Sequence, residues 1–308
     1  MARVKNLDQI TGNLKNLSFY TRKGSDGIIV RTKGGATKEK IKRDPAFAGL
    51  RKANKEFGGC SKMGKQIRMA FYGLEHVAEY NLSSALSKLA KDIQKTDALH
   101  PVGERDIRFS AYRFLLKGFD FSRTTRFASM LRVPLAYTLL RQRQEAVLQI
   151  PAFACSFGLN MPDTRTAFSY FRITAALGIV TDMALNPLNQ GYEPVHDKLG
   201  QGYRTRSTDW YSTQGSVPEQ ELRLSLMAES VASEGVTQQT TSERVTQQTT
   251  SERVTLSDPL TIAENTYPIF DDSDSLVLTV VLEFGAPDAF GHIMPVRGVG
   301  GGMVLGVE

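Results

Sequence analysis

Gly59-Cys60-Ser61-Lys62-Met63-Gly64-Lys65-Gln66 comes within one residue of a phosphate-binding loop. Such a loop cradles phosphates with backbone amides, sends a Lys to the terminal phosphates and needs Ser or Thr next to hold magnesium. Gln66 stands where that hydroxyl should be, and the stretch follows the charged run KANKEF rather than an apolar strand. Without a strand there is no βαβ frame to aim the loop, so nucleotide binding through Lys65 is not expected. The glycines read instead as small residues at a helix junction that let elements approach.

The other chemistry-bearing residues fare no better. Gly298-Val299-Gly300-Gly301-Gly302 suggests a dinucleotide loop, but too few residues follow it to form the helix such a loop opens, so it reads as a turn or bulge before a final strand, MVLGVE. His76, His100, His196 and His292 have no metal-ligand spacing among themselves. The acids of Phe270-Asp271-Asp272-Ser273-Asp274 lack the spaced ligands and final Glu of a calcium loop, and read as a solvated turn capping a strand. Trp210-Tyr211 offers one aromatic pair on which a sugar could stack. Cys60 and Cys155 are far apart and in no zinc spacing, which favours free, buried thiols. No catalytic residue, metal or cofactor is expected, and an enzyme is the weaker class.

The elements that would position these residues are easier to read. LSFY and IIV flank a Gly-Ser-Asp-Gly turn in residues 17–33, a hairpin signature with Gly24 and Gly27 free to turn the chain. Asp44 can cap a helix beginning at Pro45, with Phe47, Leu50 and Phe57 as its apolar stripe and Gly58-Gly59 as its stop. From residue 61 to 95, apolar residues recur at 63, 67, 70, 74, 78, 82, 85, 89 and 93. That spacing predicts one amphipathic helix, roughly 50 Å long at 1.5 Å per residue. Beyond His100-Pro101 short apolar segments alternate with Gly, Pro, Asn and Asp, as Leu222, Leu224 and Leu226 show, and predict antiparallel strands. The unit VTQQTTSER occurs twice without a change over residues 236–253, which reads as a duplication in a tolerant surface loop.

The fold expected is therefore α+β: a basic hairpin and helical head over residues 1–104, with two helices, one of them long, then a mainly antiparallel β-sandwich body over 105–308. The net charge of +6 conceals an asymmetry: residues 1–70 hold 17 Lys and Arg against 5 Asp and Glu, and the rest hold 21 against 27. A charge of +12 over residues 1–70 and −6 over the rest suggests an anionic partner, or the acidic body of a neighbouring copy. No apolar run reaches the roughly 18–20 residues of a membrane span, so no membrane insertion is expected. The N-terminus lacks the apolar core of about 7–15 residues that a secretory signal carries. Synthesis in the cytoplasm is the expectation, with release by a route that reads no such signal left open.

The stretch NLSFYTRKGSDGIIVRTKGGATKEKIKRDPAFAGLRKANKEFG resembles the N-terminal hairpin region of a group of uncharacterised proteins from Bacteroidetes, and SLVLTVVLEFGAPDAFGHIMPVRGVGGGMVLGVE resembles their closing strand pair in texture. The resemblance implies a recurring plan of hairpin, helices and terminal strands, and implies no activity, cofactor or catalytic residue.

Two functional expectations follow. The first is a non-enzymatic structural or self-assembly protein, a homo-oligomer, because a small hairpin cannot bury its own apolar face. Its contacts would be Phe19, Tyr20, Ile28, Ile29, Val30, Phe47, Leu50 and Phe57. The second is association with nucleic acid through an anion-binding surface of Lys38, Lys40, Lys42, Arg43, Arg51 and Lys52.

Overall fold

The computed structural model describes residues 11–21, 27–32, 34–161, 168–196, 202–227 and 270–308. The duplicated VTQQTTSER unit at 236–253 lies outside the described residues, as does Gly24 of the hairpin connection. The chain is α+β, with an N-terminal hairpin, helices and an antiparallel, sheet-rich remainder.

β1 (Gly12–Leu14), β2 (Leu17–Thr21) and β3 (Ile28–Thr32) form a small antiparallel sheet, in which the expected hairpin gains a third strand. Then come α1 (Lys38–Arg43), α2 (Ala48–Met69) and α3 (Leu82–Gln94). The strands that follow are β4 (Ala136–Leu140), β5 (Glu145–Ile150), β6 (Phe153–Ala154), β7 (Tyr170–Thr181), β8 (Met183–Leu185) and β9 (Tyr192–Pro194). The last are β10 (Tyr203–Ser207), β11 (Tyr211–Ser212), β12 (Ser216–Val217), β13 (Gln220–Ser225), β14 (Asp274–Pro287) and β15 (Ile293–Val307).

The central sheet runs β10-β7-β14-β15, with β11 also pairing β7, and a second sheet runs β13-β5-β4. β7 and β14 are buried along nearly their whole length because both faces are covered. Phe171, Ile173, Ala175, Leu177 and Ile179 of β7 face the second sheet, together with Leu276, Leu278, Val280, Leu282 and Phe284 of β14. The intervening Ala176, Val180, Val277 and Val281 share a different core with Cys60, Met63 and Ile67 of α2 and Leu86, Ala90 and Ile93 of α3. Period-two alternation thus feeds two cores from one strand pair. The molecule has three layers: sheet, sheet and an antiparallel helix pair.

This packing places much of the expected head inside the body's core. What stands outside is the hairpin sheet, α1 and the first two turns of α2, none of which has a buried residue before Glu56. Asp44 does cap the chain at Pro45, its side chain accepting from the Ala46 N–H at 2.9 Å.

The helices differ from the sequence expectation in their boundaries. Gly58 and Gly59 do not stop a helix; they lie within α2. Gly59 is there because the Tyr192 ring lies flat against the helix, and a Cβ would sit 2.5 Å from its Cγ. Gly64 lets α3 approach, with Ser87 backbone nitrogen 3.0 Å from where a Cβ would be. The expected single helix over 61–95 is two, broken by a corner with Gly73 at φ 87° and a short 3-10 turn, Glu75–Val77. Asn81 then caps α3, accepting from the Ser83 N–H at 3.0 Å. The apolar period runs unbroken through the corner because Phe71, Leu74, Val77 and Ala78 face the same core as the helices. Among the described residues no helix is long and apolar enough to cross a membrane.

The two adjacent glycines make a paired test. Gly58→Ala, open on all sides, should raise stability by about 0.5–1 kcal/mol through helix propensity. Gly59→Ala should lower it, since Tyr192 is held by a hydrogen bond from its hydroxyl to the Arg105 carbonyl at 2.8 Å. Urea unfolding midpoints of the two variants should therefore move in opposite directions.

Candidate functional site

The expected assembly residues lie on two elements, the hairpin sheet and the start of α2, and none of them is buried. In the hairpin sheet Phe19 pairs with Val30, Thr21 with Ile28 and Leu14 with Leu17. Leu14, Leu17, Phe19, Ile28 and Val30 therefore share one face, and none of them is buried. Tyr20 and Ile29 lie on the other, with the Arg31 guanidinium 5.8 Å from the Tyr20 ring. On α2, Leu50 is 42% and Phe57 60% exposed, and Phe47 precedes them on the same stripe, half-buried.

The basic residues divide. Lys38, Lys40, Lys42 and Arg43 stand exposed on α1, and Lys52 is exposed on α2. Arg51 instead donates to the carbonyls of Ile41 and Asp44 at 2.7 and 2.8 Å, which joins the end of α1 to α2.

Gln66, at the position where a phosphate loop would hold magnesium, is buried, and with its amide assigned so that nitrogen faces the Thr181 carbonyl (3.0 Å) and oxygen the Thr181 N–H (3.2 Å) it bridges the two. The GCSKMGKQ stretch is the middle of α2, with its glycines used for close packing. The glycine-rich end lies inside β15 and no turn separates it from a last strand: Gly298 and Val299 belong to a bulge in which Phe284 alone faces residues 296–299, and Gly300, Gly301 and Gly302 pair with Glu283, Leu282 and Val281. Trp210 and Tyr211 form no stacking platform. Arg172 stacks over the Trp210 ring at 4.7 Å, whereas Tyr211 packs on Phe171 in the core. Cys60 and Cys155 are free and buried, and burial pushes the Cys60 thiol up to about 11.

Each histidine sits beside an acid, a near neighbour in sequence for His100 and His292 and one brought by the fold for His76 and His196. His100 lies 2.7 Å from Asp97, with Asp106 close by, and His292 lies 3.6 Å from Asp288. His196 lies 3.2 Å from Asp271 and 3.3 Å from Asp274. The turn at Asp271 is only partly solvated, since Asp274 is fully buried and Arg141 donates to the backbone carbonyls of Asp271 and Asp274.

Two buried carboxylates organise the remaining polar chemistry. Glu56, 1% exposed, accepts from Arg105 Nε and Nη2 at 2.7 Å each, from Lys91 Nζ at 2.6 Å and from the Gly103 N–H at 2.8 Å. Arg105 chiefly holds its carboxyl at about 2, against the desolvation that would raise it. With Gln94 and Cys60 this cluster ties α2 to α3 and to the chain after it, and every acceptor position on the carboxylate is engaged.

Glu283 of β14, 2% exposed, accepts from Arg172 Nε and Nη2 at 2.8 and 3.1 Å and from the Thr174 hydroxyl at 2.6 Å. His76 Nε2 lies 2.9 Å from its Oε1, the distance of an ion pair, but without hydrogen-bond alignment. Burial pushes the Glu283 carboxyl up, and His76, Arg172 and Thr174 more than offset this, so that it sits at about 2. His76 is raised in turn, chiefly by Glu283. His76 Nδ1 lies 2.8 Å from the Gly73 carbonyl, so acceptors flank both ring nitrogens and favour the imidazolium. The Ser207 hydroxyl pairs with that of Thr174 at 2.9 Å.

These groups line a cleft of about 390 Å³ beyond the end of α2, where the helix layer stops covering the sheet. Sequence reasoning missed it because Arg172, Thr174, Ser207, Glu283 and His76 meet only through strand register and the corner after α2.

No family model, no curated protein and no solved structure matches this chain.

Glu56→Gln should destabilise the protein by about 3 kcal/mol at neutral pH, because it leaves Arg105 and Lys91 without their carboxylate. The Glu56 pKa is depressed, so its contribution is full above about 4.5 and fades as pH falls toward 2. The gap between wild type and variant, read by urea unfolding, should close in that window.

Proposed function

We propose that the protein is a non-enzymatic structural subunit whose copies join through the N-terminal hairpin sheet and the projecting start of α2. The observation that carries this reading is the apolar hairpin face of Leu14, Leu17, Phe19, Ile28 and Val30, which has no buried residue. A three-stranded sheet needs an apolar face covered to gain stability, and Leu50 and Phe57 extend the uncovered surface. A second copy suits the charges, since residues 1–70 carry +12 and the rest of the chain −6.

Light scattering after size exclusion should give a mass that is a multiple of 34.1 kDa. Phe19→Asp combined with Val30→Asp should reduce it to that of one chain, with the far-ultraviolet circular dichroism of the body retained. A monomeric wild type, or a double variant that keeps the wild-type mass, would overturn the reading.

A second reading, binding of a nucleic-acid backbone, is favoured by α1, where Lys38, Lys40, Lys42 and Arg43 are exposed and form no ion pair among the described residues. Anisotropy of a labelled duplex should then rise with protein at low salt and fall steeply as salt increases. Substituting Lys38, Lys40 and Lys42 by Glu should remove the signal; binding that ignores the substitution would contradict it.

A further inference from the structure

The cleft around Glu283 has spent its acceptors and kept its donors. One carboxylate oxygen takes Arg172 Nε and the Thr174 hydroxyl; the other takes Arg172 Nη2 and faces His76. A cationic ligand therefore finds no free carboxylate among the lining residues. Donors remain in supply. Arg297 makes no ion pair or side-chain hydrogen bond among the described residues, and Arg172 Nη1 is unused. The Thr205 hydroxyl also lines the cleft. Two guanidinium groups thus face one carboxylate, which leaves the cleft positive.

The fold holds this arrangement open. Arg172, Thr174, Thr205 and Ser207 lie on the sheet face that the helices cover further along, but α2 ends at Met69 and Gly73 turns the chain away. Arg297 is carried by the four-residue bulge of β15, and Gly300 at φ 131° brings the strand back so closely that a Cβ there would strike the Leu282 carbonyl. Trp210 backs the Arg172 guanidinium, and Glu283 grips two of its nitrogens, which fixes its plane. Tyr72, Leu74 and Pro295 add an apolar wall.

We propose that this cleft binds a small anion, a carboxylate or a phosphate, between the Arg297 and Arg172 guanidinium groups, with the Thr205 hydroxyl as a further donor. The bound group pairs the free Arg297 and takes the unused Arg172 Nη1. The apolar wall admits a ligand with a short hydrocarbon body. The site is independent of the hairpin surface and needs no second copy.

The test uses the full-length protein labelled with nitrogen-15, titrated at constant ionic strength with inorganic phosphate, with acetate and, as reference, with chloride. Saturable shifts of the Gly73, Thr205 and Ser207 amides are expected with phosphate or acetate and not with chloride. Saturation by phosphate alone assigns the site to phosphate groups, and saturation by acetate alone to carboxylates. Arg297→Gln, an exposed position, should weaken binding by at least about tenfold. Arg206→Gln, on the opposite face of the strand that carries Thr205 and Ser207, should leave it unchanged. Shifts that match those of chloride, or equal affinity of Arg297→Gln and wild type, would overturn the proposal.

Discussion

Burial of β7 and β14 on both faces is the constraint from which the rest of the structure follows. A strand pair with Leu, Ile, Phe and Val on one face and Ala and Val on the other must be covered twice. The second sheet supplies one cover. The other is the α2–α3 pair, whose approach depends on small residues: Gly178 of β7 receives the backbone of Ala70, and Gly64 receives Ser87. At about 25 cal/mol per Å² of apolar surface, two such interfaces supply the main favourable term in folding. The Glu56 cluster adds direction rather than bulk, since it fixes which turn of α2 faces which turn of α3.

Everything left outside those two interfaces is what the protein has available for other molecules. The helix layer is shorter than the sheet it covers, so the sheet continues past Ala70 with polar residues, and these form the cleft around Glu283. The hairpin sheet joins neither core and shows its apolar face to the surroundings. Deep inside, the acids and bases satisfy one another: Glu56 with Arg105 and Lys91, Asp182 with the Ser110 backbone and hydroxyl. A buried carboxylate with every acceptor filled, as Glu56 is, orients helices and strands.

The sequence made the strands legible where one face is polar, as at Leu222 and Leu224, and made the Asp44-Pro45 start of a helix legible through local chemistry. It misplaced the helix ends because tertiary contacts decided them. Gly58-Gly59 resembles a stop, yet Tyr192, more than a hundred residues away, needs a helix without a side chain at that point. The 61–95 period survives a corner because corner and helices face one core. The hairpin's apolar residues were readable from alternation alone, whereas the cleft was not: Arg172 and Glu283 are set opposite each other by register, and no local pattern encodes that.

The central claim is that a second copy covers the hairpin face, and amide hydrogen exchange read at several protein concentrations tests it most directly. Protection of residues 17–21 and 28–32 should rise with concentration while that of β7 and β14 stays constant. Exchange in the hairpin that is the same at every concentration would contradict the account.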